Sequence, residues 1–230
     1  MAQQSRTLQN RVLPTGDIVA IPARGTLTGN RGVLHRADKT LGTARWKHHA
    51  WIICALDYKG WQRQVMTPNR WTELFFLDEA VALAAGHRPC ALCRRAAYVA
   101  YRDAWGGGRG PVKAPEMDAA LHAARIRPGT RDQRRHTARL GGLPDGTMVL
   151  WADAPALILG DSLRPWTPEG YRPALARPTG DAIVLTPKPT LDVLRAGYAP
   201  LLHPSVHTSV HPSAQPGSTC GEKGTLGAIT

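Results

Sequence analysis

The chain has 230 residues, of which 43% are hydrophobic, and its 29 Lys and Arg side chains outnumber 17 Asp and Glu side chains. This length and apolar content are sufficient for a packed core, in one large domain or two small ones. The longest unbroken apolar run, residues 50–56, is far shorter than a bilayer span, which excludes a membrane-spanning helix from our expectations. Residues 1–16 contain no apolar stretch typical of a secretory signal, so we expect a cytoplasmic protein without a membrane partner.

The net charge of +12 is concentrated in one part of the chain. Residues 85–140 contain twelve basic and four acidic side chains. Codon usage can make a chain rich in arginine, but it does not explain this clustering. A basic patch attracts polyanions because neutralised phosphates release condensed counterions. The sequence therefore predicts a nucleic-acid partner, DNA in preference to RNA, with phosphates contacted by Arg88, Arg94, Arg95, Arg134, Arg135 and Arg139.

The N-terminal part is predicted to form short strands joined by turns. Residues 17–21 and 25–35 have the composition of strands interrupted by glycine turns. The apolar run over residues 50–56 predicts a buried strand, and residues 62–66 are interpreted as its hairpin partner. Residues 74–77 form a further apolar stretch.

Helices are predicted on both sides of the only paired cysteines. Asp78 is a suitable N-cap for a helix over residues 79–85, and Gly86 is suited to end it. Further helices are predicted over residues 94–105 and from Pro115 to about Arg127. From residue 143 onward, turns and short strands dominate.

These elements predict an α+β fold, in which short strands and hairpins surround a Cys-x-x-Cys knuckle flanked by helices and the C-terminal part is rich in β-structure. Four segments are expected. They are an N-terminal α+β region with the knuckle (1–105), a Gly-rich joint with a basic helical segment (106–140), a β-rich region (141–202) and a disordered tail (203–230).

The knuckle is the most chemically specific feature of the chain. Cys90 and Cys93 are separated by two residues at the predicted start of a helix, beside several arginines. The helix dipole and the guanidinium groups favour thiolate over thiol. Two thiolates supply half of a tetrahedral zinc site, so the sequence predicts zinc as the cofactor. Cys54 and His49 are the candidates for the remaining ligands, with His35, His48 and His87 as other imidazoles.

Residues 76–80 (FLDEA) and 85–94 (AGHRPCALCR) carry a resemblance to a known family. They resemble the second half of the zinc-binding domain of the Ada-type DNA methylphosphotriester repair proteins, over about residues 76–94 only. The resemblance implies that Cys90 and Cys93 bind zinc and that the basic surface beside them faces a DNA backbone. The first cysteine pair of that family, with its methyl-accepting thiol, has no counterpart because Cys54 stands alone. Methyl transfer is therefore not expected.

Three alternatives to a zinc-dependent nucleic-acid-binding protein stay open. In a metal-dependent hydrolase or nuclease, Asn30 and His35 would act with His49 or His136 near a metal. In a dithiol redox protein, Cys90 and Cys93 would exchange electrons, although such motifs usually follow a strand rather than a helix. In a structural protein, the zinc would only stabilise the N-terminal half.

Overall fold

A computed structural model describes residues 7–61 and 64–207. Within these ranges the chain contains four α-helices and two β-sheets, which confirms the α+β class. No helix in the described part of the chain has the length and apolar character needed to cross a membrane. The helices are α1 (Glu79–Ala84), α2 (Arg95–Gly106), α3 (Ala114–Arg125) and α4 (Lys188–Arg195), and 3-10 turns lie at Leu140–Gly142 and Pro204–His207.

The first sheet contains six short strands in the spatial order β2-β1-β5-β3-β4-β6. They are β1 (Arg11–Val12), β2 (Ile18–Val19), β3 (Leu27–Asn30), β4 (Ile52–Ala55), β5 (Leu74–Phe76) and β6 (Arg88–Pro89). Because side chains alternate along a strand, one face of this sheet is buried and the other borders a groove. Ile53, Leu74 and Phe76 lie on the buried face, in the same core as the fully buried helix α1.

Strand β6 was not predicted, and it determines where the knuckle lies. It pairs in parallel with β4, with Ile52 opposite Arg88 and Ile53 opposite Pro89. The predicted hairpin partner of β4 at residues 62–66 was wrong for residues 64–66, which form no strand. Residues 62 and 63 lie outside the described residues. Strand β4 instead pairs with β3 on one side and β6 on the other.

The second sheet makes the C-terminal part rich in β-structure, as predicted. Its spatial order is β11-β10-β9-β8-β13-β7, and β12 also pairs with β10. All its pairings are antiparallel, as expected for strands that follow one another through short turns. The strands are β7 (His136–Arg139), β8 (Met148–Trp151), β9 (Ala154–Leu159), β10 (Ser162–Thr167), β11 (Gly170–Tyr171), β12 (Leu175–Ala176) and β13 (Asp181–Val184).

The N-cap of α1 connects that helix to the end of the described chain. Asp78 accepts a hydrogen bond from the amide of Val81 at 3.0 Å, so the predicted cap is confirmed. The same buried carboxylate accepts from the Tyr171 hydroxyl at 2.8 Å and from the His203 amide at 3.0 Å. Residues 203–207, assigned to a disordered tail from the sequence, therefore pack against the domain because Asp78 and the buried Val206 hold them. The remainder of the predicted tail, residues 208–230, lies outside the described residues.

Candidate metal centre

Three cysteines from two separate parts of the sequence converge at one end of the β4–β6 pair. Cys54 lies in β4, Cys90 directly follows β6, and Cys93 lies in the turn that leads to α2. The parallel register places Cys54 and Cys90 side by side, and the amide of Cys90 donates to the carbonyl of Ile53 at 2.9 Å. The three Sγ atoms all lie within 4.8 Å of one another. This cluster can hold a metal ion.

The surroundings of the cluster favour negative charge on sulfur. A hydrogen bond from the Cys54 thiol, together with backbone N–H groups of Cys93 and Leu92, lowers the pKa of Cys90 to about 5 despite its burial. The Leu92 amide donates to Cys90 Sγ at 3.4 Å. The pKa of Cys54 is raised because its proton is held by the Cys90 sulfur, and burial raises the pKa of Cys93. A cation among the three sulfurs would displace these protons, since the thiolate is the form that binds metal.

A groove of about 400 Å³ runs along the face of the first sheet that carries Cys54. All three cysteines line it, so an ion bound to them would be accessible from the groove. Its polar and aromatic lining includes Thr28, Asn30, Tyr58, Trp61, Trp71 and Glu73. The side chains of Trp61 and Leu92, at its edges, are 50% and 61% exposed. Large exposed apolar side chains beside a polar cluster are typical of a binding surface.

A buried ion pair fixes the turn that carries Cys93. Arg94 donates two hydrogen bonds to Glu79 of α1, with Nη1–Oε1 and Nη2–Oε2 distances of 2.7 and 2.9 Å. Glu79 is 1% exposed, and it also accepts from the Tyr198 hydroxyl at 2.6 Å and the Leu201 amide at 2.8 Å. Because its carboxylate is fully satisfied, this pair can hold the knuckle against the C-terminal residues.

The histidines expected near the metal lie elsewhere. His49 does not join the three cysteines among the described residues, since its ring stacks on that of His122 with centroids 3.8 Å apart. His35 is buried, with Nδ1 2.7 Å from the hydroxyl of Thr72 and Nε2 3.1 Å from the carbonyl of Thr67. His35 therefore serves the packing of a loop rather than the groove.

The six arginines predicted to contact phosphates divide into two groups. Arg88 is 4% exposed and forms a bidentate pair with Asp118, with an Nη2–Oδ2 distance of 2.7 Å. Arg94 is engaged by Glu79, so neither guanidinium is presented to solvent. The other four are exposed: Arg95 lies at the start of α2 beside the knuckle, and Arg134, Arg135 and Arg139 lie on or next to β7. Contact of these side chains with nucleic acid stays a prediction.

Asn30 was a candidate from the sequence for the hydrolase alternative, whereas the other polar and aromatic residues of the groove were not singled out. Glu73 is buried, and its Oε2 accepts from the Met66 amide at 2.7 Å. Thr28 is opposite Cys54 in the β3–β4 register, so the two side chains lie on the same face of the sheet. Because side chains alternate along a strand, Asn30 lies on this face too. No local pattern indicated that Trp61 and Trp71 would lie beside the cysteines, since this depends on the loop between β4 and β5.

Comparison with models of known protein families, with curated proteins and with solved structures finds no match to this chain. The fold and the site therefore define the class of protein by themselves. It is an α+β protein with a three-cysteine cluster that can hold a metal ion at the edge of an aromatic groove.

Proposed function

We propose that the protein binds a zinc ion through Cys54, Cys90 and Cys93 and contacts nucleic acid along the adjoining groove. The convergence of three sulfur atoms within 4.8 Å carries this proposal. Thiolates are soft ligands, and zinc is the common divalent ion that three or four of them hold in a tetrahedral arrangement. The resemblance of residues 76–94 to the Ada-type zinc-binding domain agrees with this choice of metal.

The described residues supply three ligands, and a zinc ion held by them would have a fourth coordination position for water, a bound molecule or a further ligand. The cysteines line the groove, so that position is open to a ligand lying there. Dithiol redox chemistry, the alternative at this site, would use two of the three sulfurs, and thiol titration distinguishes it from zinc binding.

The groove and the charge of the chain support nucleic acid as the ligand. Trp61 is half exposed, its ring lies 5.4 Å from that of Tyr58, and Trp71 lines the same groove. Exposed aromatic rings stack on unpaired bases of any sequence. The net charge of +12 attracts the phosphate backbone, and exposed Arg95 lies next to the knuckle. We therefore favour single-stranded DNA as the bound form.

Replacing Trp61 with alanine should weaken binding of zinc-loaded protein to a single-stranded oligonucleotide by about 5–150-fold, the value of one stacked base. Fluorescence anisotropy measures the affinity at several salt concentrations. A plot of the logarithm of the association constant against the logarithm of salt concentration should have a slope of about −0.7 per phosphate contacted. Leu175→Ala is a matched control, because Leu175 is a similarly exposed apolar residue of the second sheet, 48% exposed. Equal loss in both variants, or binding insensitive to salt, would contradict the proposal.

A second candidate function is metal-dependent hydrolysis of a phosphodiester. It is favoured by the presence of Asn30 and Glu73 in the same groove as the three cysteines. Zinc held by the three cysteines would supply Lewis-acid activation of water, and the Glu73 carboxylate in the groove would act as the proton acceptor.

If the protein is a hydrolase, zinc-loaded protein will cleave single-stranded DNA, and Glu73→Gln will slow cleavage by about 10²–10⁴-fold while zinc is retained. Gel analysis of end-labelled DNA measures the rate. Glu116→Gln serves as the control because Glu116 is exposed on α3. Absence of cleavage by the unaltered protein would eliminate this candidate and leave the binding function intact.

A further inference from the structure

Trp51, which directly precedes β4, forms part of the wall of a second cavity, of about 500 Å³. Cys54 lies nearer the other end of the same strand. Among the described residues, guanidinium groups outnumber carboxylates in the lining by six to two. These charged residues are Arg31, Arg45, Arg125, Arg127, Arg131, Arg135, Asp17 and Asp132.

The two deepest guanidinium groups are buried without a carboxylate partner. Arg31 is 2% exposed and Arg125 is 1% exposed, and neither forms a salt bridge within the described part of the chain. Both stack on Trp51, with Cζ 4.0 and 3.6 Å from its ring centroid. Stacking on an aromatic face orients a guanidinium but does not neutralise its charge. Buried charges are normally paired, so two buried guanidinium groups without a carboxylate are suited to binding an anion.

Arg31 also has a hydrogen-bond donor without a protein acceptor. Its Nε donates to His87 Nε2 at 3.2 Å and its Nη1 donates to the carbonyl of Gly16 at 3.2 Å. Its Nη2 is buried and has no hydrogen-bond partner in the described residues. His87 is held neutral, since burial lowers its pKa well below the usual range and its Nδ1 lies 3.2 Å from the carbonyl of Ala82. The imidazole thus orients Arg31 and leaves its Nη2 without an acceptor in the described residues.

Arg125 is held in a similar manner from the opposite element, the end of α3. Its Nη1 donates to the carbonyl of Gly86 at 2.6 Å and its Nη2 to the carbonyl of His49 at 2.8 Å, while its Nε is buried without a partner in the described residues. Gly86 has φ of +83°, and a Cβ there would lie 2.4 Å from Arg125 Cδ. Glycine at this position is therefore required for the guanidinium to reach its site.

The electrostatics of the pair agree with an anion site. Burial, assisted by repulsion from Arg45, lowers the pKa of Arg31 to about 9, although Asp17 opposes the shift. Burial and repulsion from Arg31 lower the pKa of Arg125 to about 8. A dianion bound in the cavity would offset part of both costs, because the attraction between opposite charges is strong in a low-dielectric site.

We propose that this cavity binds a nucleoside monophosphate, either free or as the terminal unit of an oligonucleotide. Guanidinium groups match phosphate oxygens in charge and geometry, and two buried guanidinium charges with three exposed arginines at the rim suit a doubly charged terminal phosphate better than a diester. The cavity is within the size range of small-molecule sites and is larger than a phosphate ion requires.

The remaining lining suits the nucleoside. Trp46, which is half-buried and lies 5.9 Å from Trp51 between ring centroids, offers a flat apolar wall for a base. The Oε1 atom of Gln133 is buried without a donor in the described residues, while its Nε2 donates to the carbonyl of Ala84 at 2.7 Å. That oxygen can accept a hydrogen bond from a sugar hydroxyl or a base amine. The inference goes beyond the proposed function and does not depend on the metal centre.

Calorimetric titration of the full-length protein with adenosine 5′-monophosphate, adenosine and inorganic phosphate tests the assignment. The monophosphate should bind, adenosine should bind at least about 100-fold more weakly, and inorganic phosphate about tenfold more weakly. Arg135→Gln should raise the dissociation constant of the monophosphate about tenfold. Arg172→Gln should leave it unchanged, because Arg172 is an exposed arginine that does not line the cavity.

Arg125→Lys tests the buried half of the site, since lysine keeps the positive charge but lacks the planar guanidinium group and its array of donors. It should raise the dissociation constant of the monophosphate about 100-fold while circular dichroism shows a folded protein. If the variant does not fold, Arg135→Gln alone decides. A monophosphate that binds no better than adenosine, or no better than inorganic phosphate, would overturn the proposal, as would unchanged affinity in Arg135→Gln.

Oligonucleotides with and without a 5′-phosphate distinguish the two sources of the ligand. Preference for the phosphorylated strand over the mononucleotide assigns the cavity to strand ends, and the reverse order assigns it to free nucleotide. Equal affinity of the two oligonucleotides, with no binding of the mononucleotide, would overturn the assignment. Cys90→Ser protein should bind the mononucleotide with the same affinity as the unaltered protein. The titration with mononucleotide therefore tests the cavity even if the protein binds no zinc.

Discussion

Replacing Cys90 with serine is expected to remove the metal from the protein. The unaltered chain should be isolated with about one zinc ion per molecule, and the Cys90→Ser protein with less than about one tenth of that amount. Cys90 is central because its Sγ accepts hydrogen bonds from the Cys54 thiol and the Leu92 amide. These hydrogen bonds make it the sulfur most stabilised as a thiolate. A serine hydroxyl is not deprotonated at neutral pH and is a poor zinc ligand.

The affinity for zinc, measured by competition with a chromophoric chelator, should fall by more than the roughly 10–100-fold that loss of an outer hydrogen-bond partner costs. Ala91→Ser is the matched control. It introduces the same hydroxyl into the same turn, one residue away, and leaves the three thiols in place. Chelator should lower the melting temperature of the unaltered protein and of Ala91→Ser, but not that of Cys90→Ser.

Elemental analysis that finds no metal in freshly isolated, folded protein would refute the zinc proposal, and so would full occupancy in Cys90→Ser. Thiol titration separates zinc binding from redox chemistry. With zinc bound, the cluster thiols react only after chelation, whereas a dithiol redox site reacts fully after reduction alone.

The second large effect is expected at Glu79, whose carboxylate forms an ion pair with Arg94. Glu79→Gln should lower the free energy of unfolding by about 3–5 kcal/mol, because it leaves the buried guanidinium of Arg94 without its counter-charge. The amide group of glutamine would also direct a donor toward the Tyr198 hydroxyl or the Leu201 amide, both of which donate to Glu79. Urea denaturation measures the change, and the midpoint should fall by about 1–2 M.

Glu116→Gln is the control for this experiment, since Glu116 is exposed in the first turn of α3 and should change stability by no more than about 1 kcal/mol. Tyr198→Phe is a milder test of the same network. It removes one hydrogen bond to a buried carboxylate and should cost about 1.5–3 kcal/mol. Equal midpoints for the Glu79 and Glu116 variants would show that the network does not stabilise the fold.

Local chemistry allowed much of the site region to be predicted. The Asp78 cap, the short alanine-rich helix after it and the helix after Cys93 follow from capping, helix propensity and glycine stops within a few residues. Cys90 and Cys93 were recognisable because a two-residue spacing places both sulfurs on one side of a turn. Cys54 was a candidate only by elimination, as the one other thiol in the body of the chain.

Charge counting was less informative about individual arginines. Arg88, Arg94, Arg125 and Arg134 have similar surroundings in the sequence, but burial separates them. Arg88 forms a pair with Asp118, and Arg94 forms a pair with Glu79. Arg125 is buried without a carboxylate partner, and Arg134 is exposed. A linear sequence carries the sign of each charge, but the partner that neutralises it comes from an element tens of residues away.

The sequence by itself determined the α+β class, the helices around the knuckle and the half-site formed by Cys90 and Cys93. Those features depend on interactions among residues close in the chain. The tertiary structure decided the third sulfur, the aromatic groove and the arginine cavity. The third sulfur depends on the parallel pairing of β4 with β6, a strand of only two residues that has no periodicity of its own. The groove depends on the loop between β4 and β5, and the cavity on the packing of the end of α3 against Gly86, which are contacts between residues far apart in the chain.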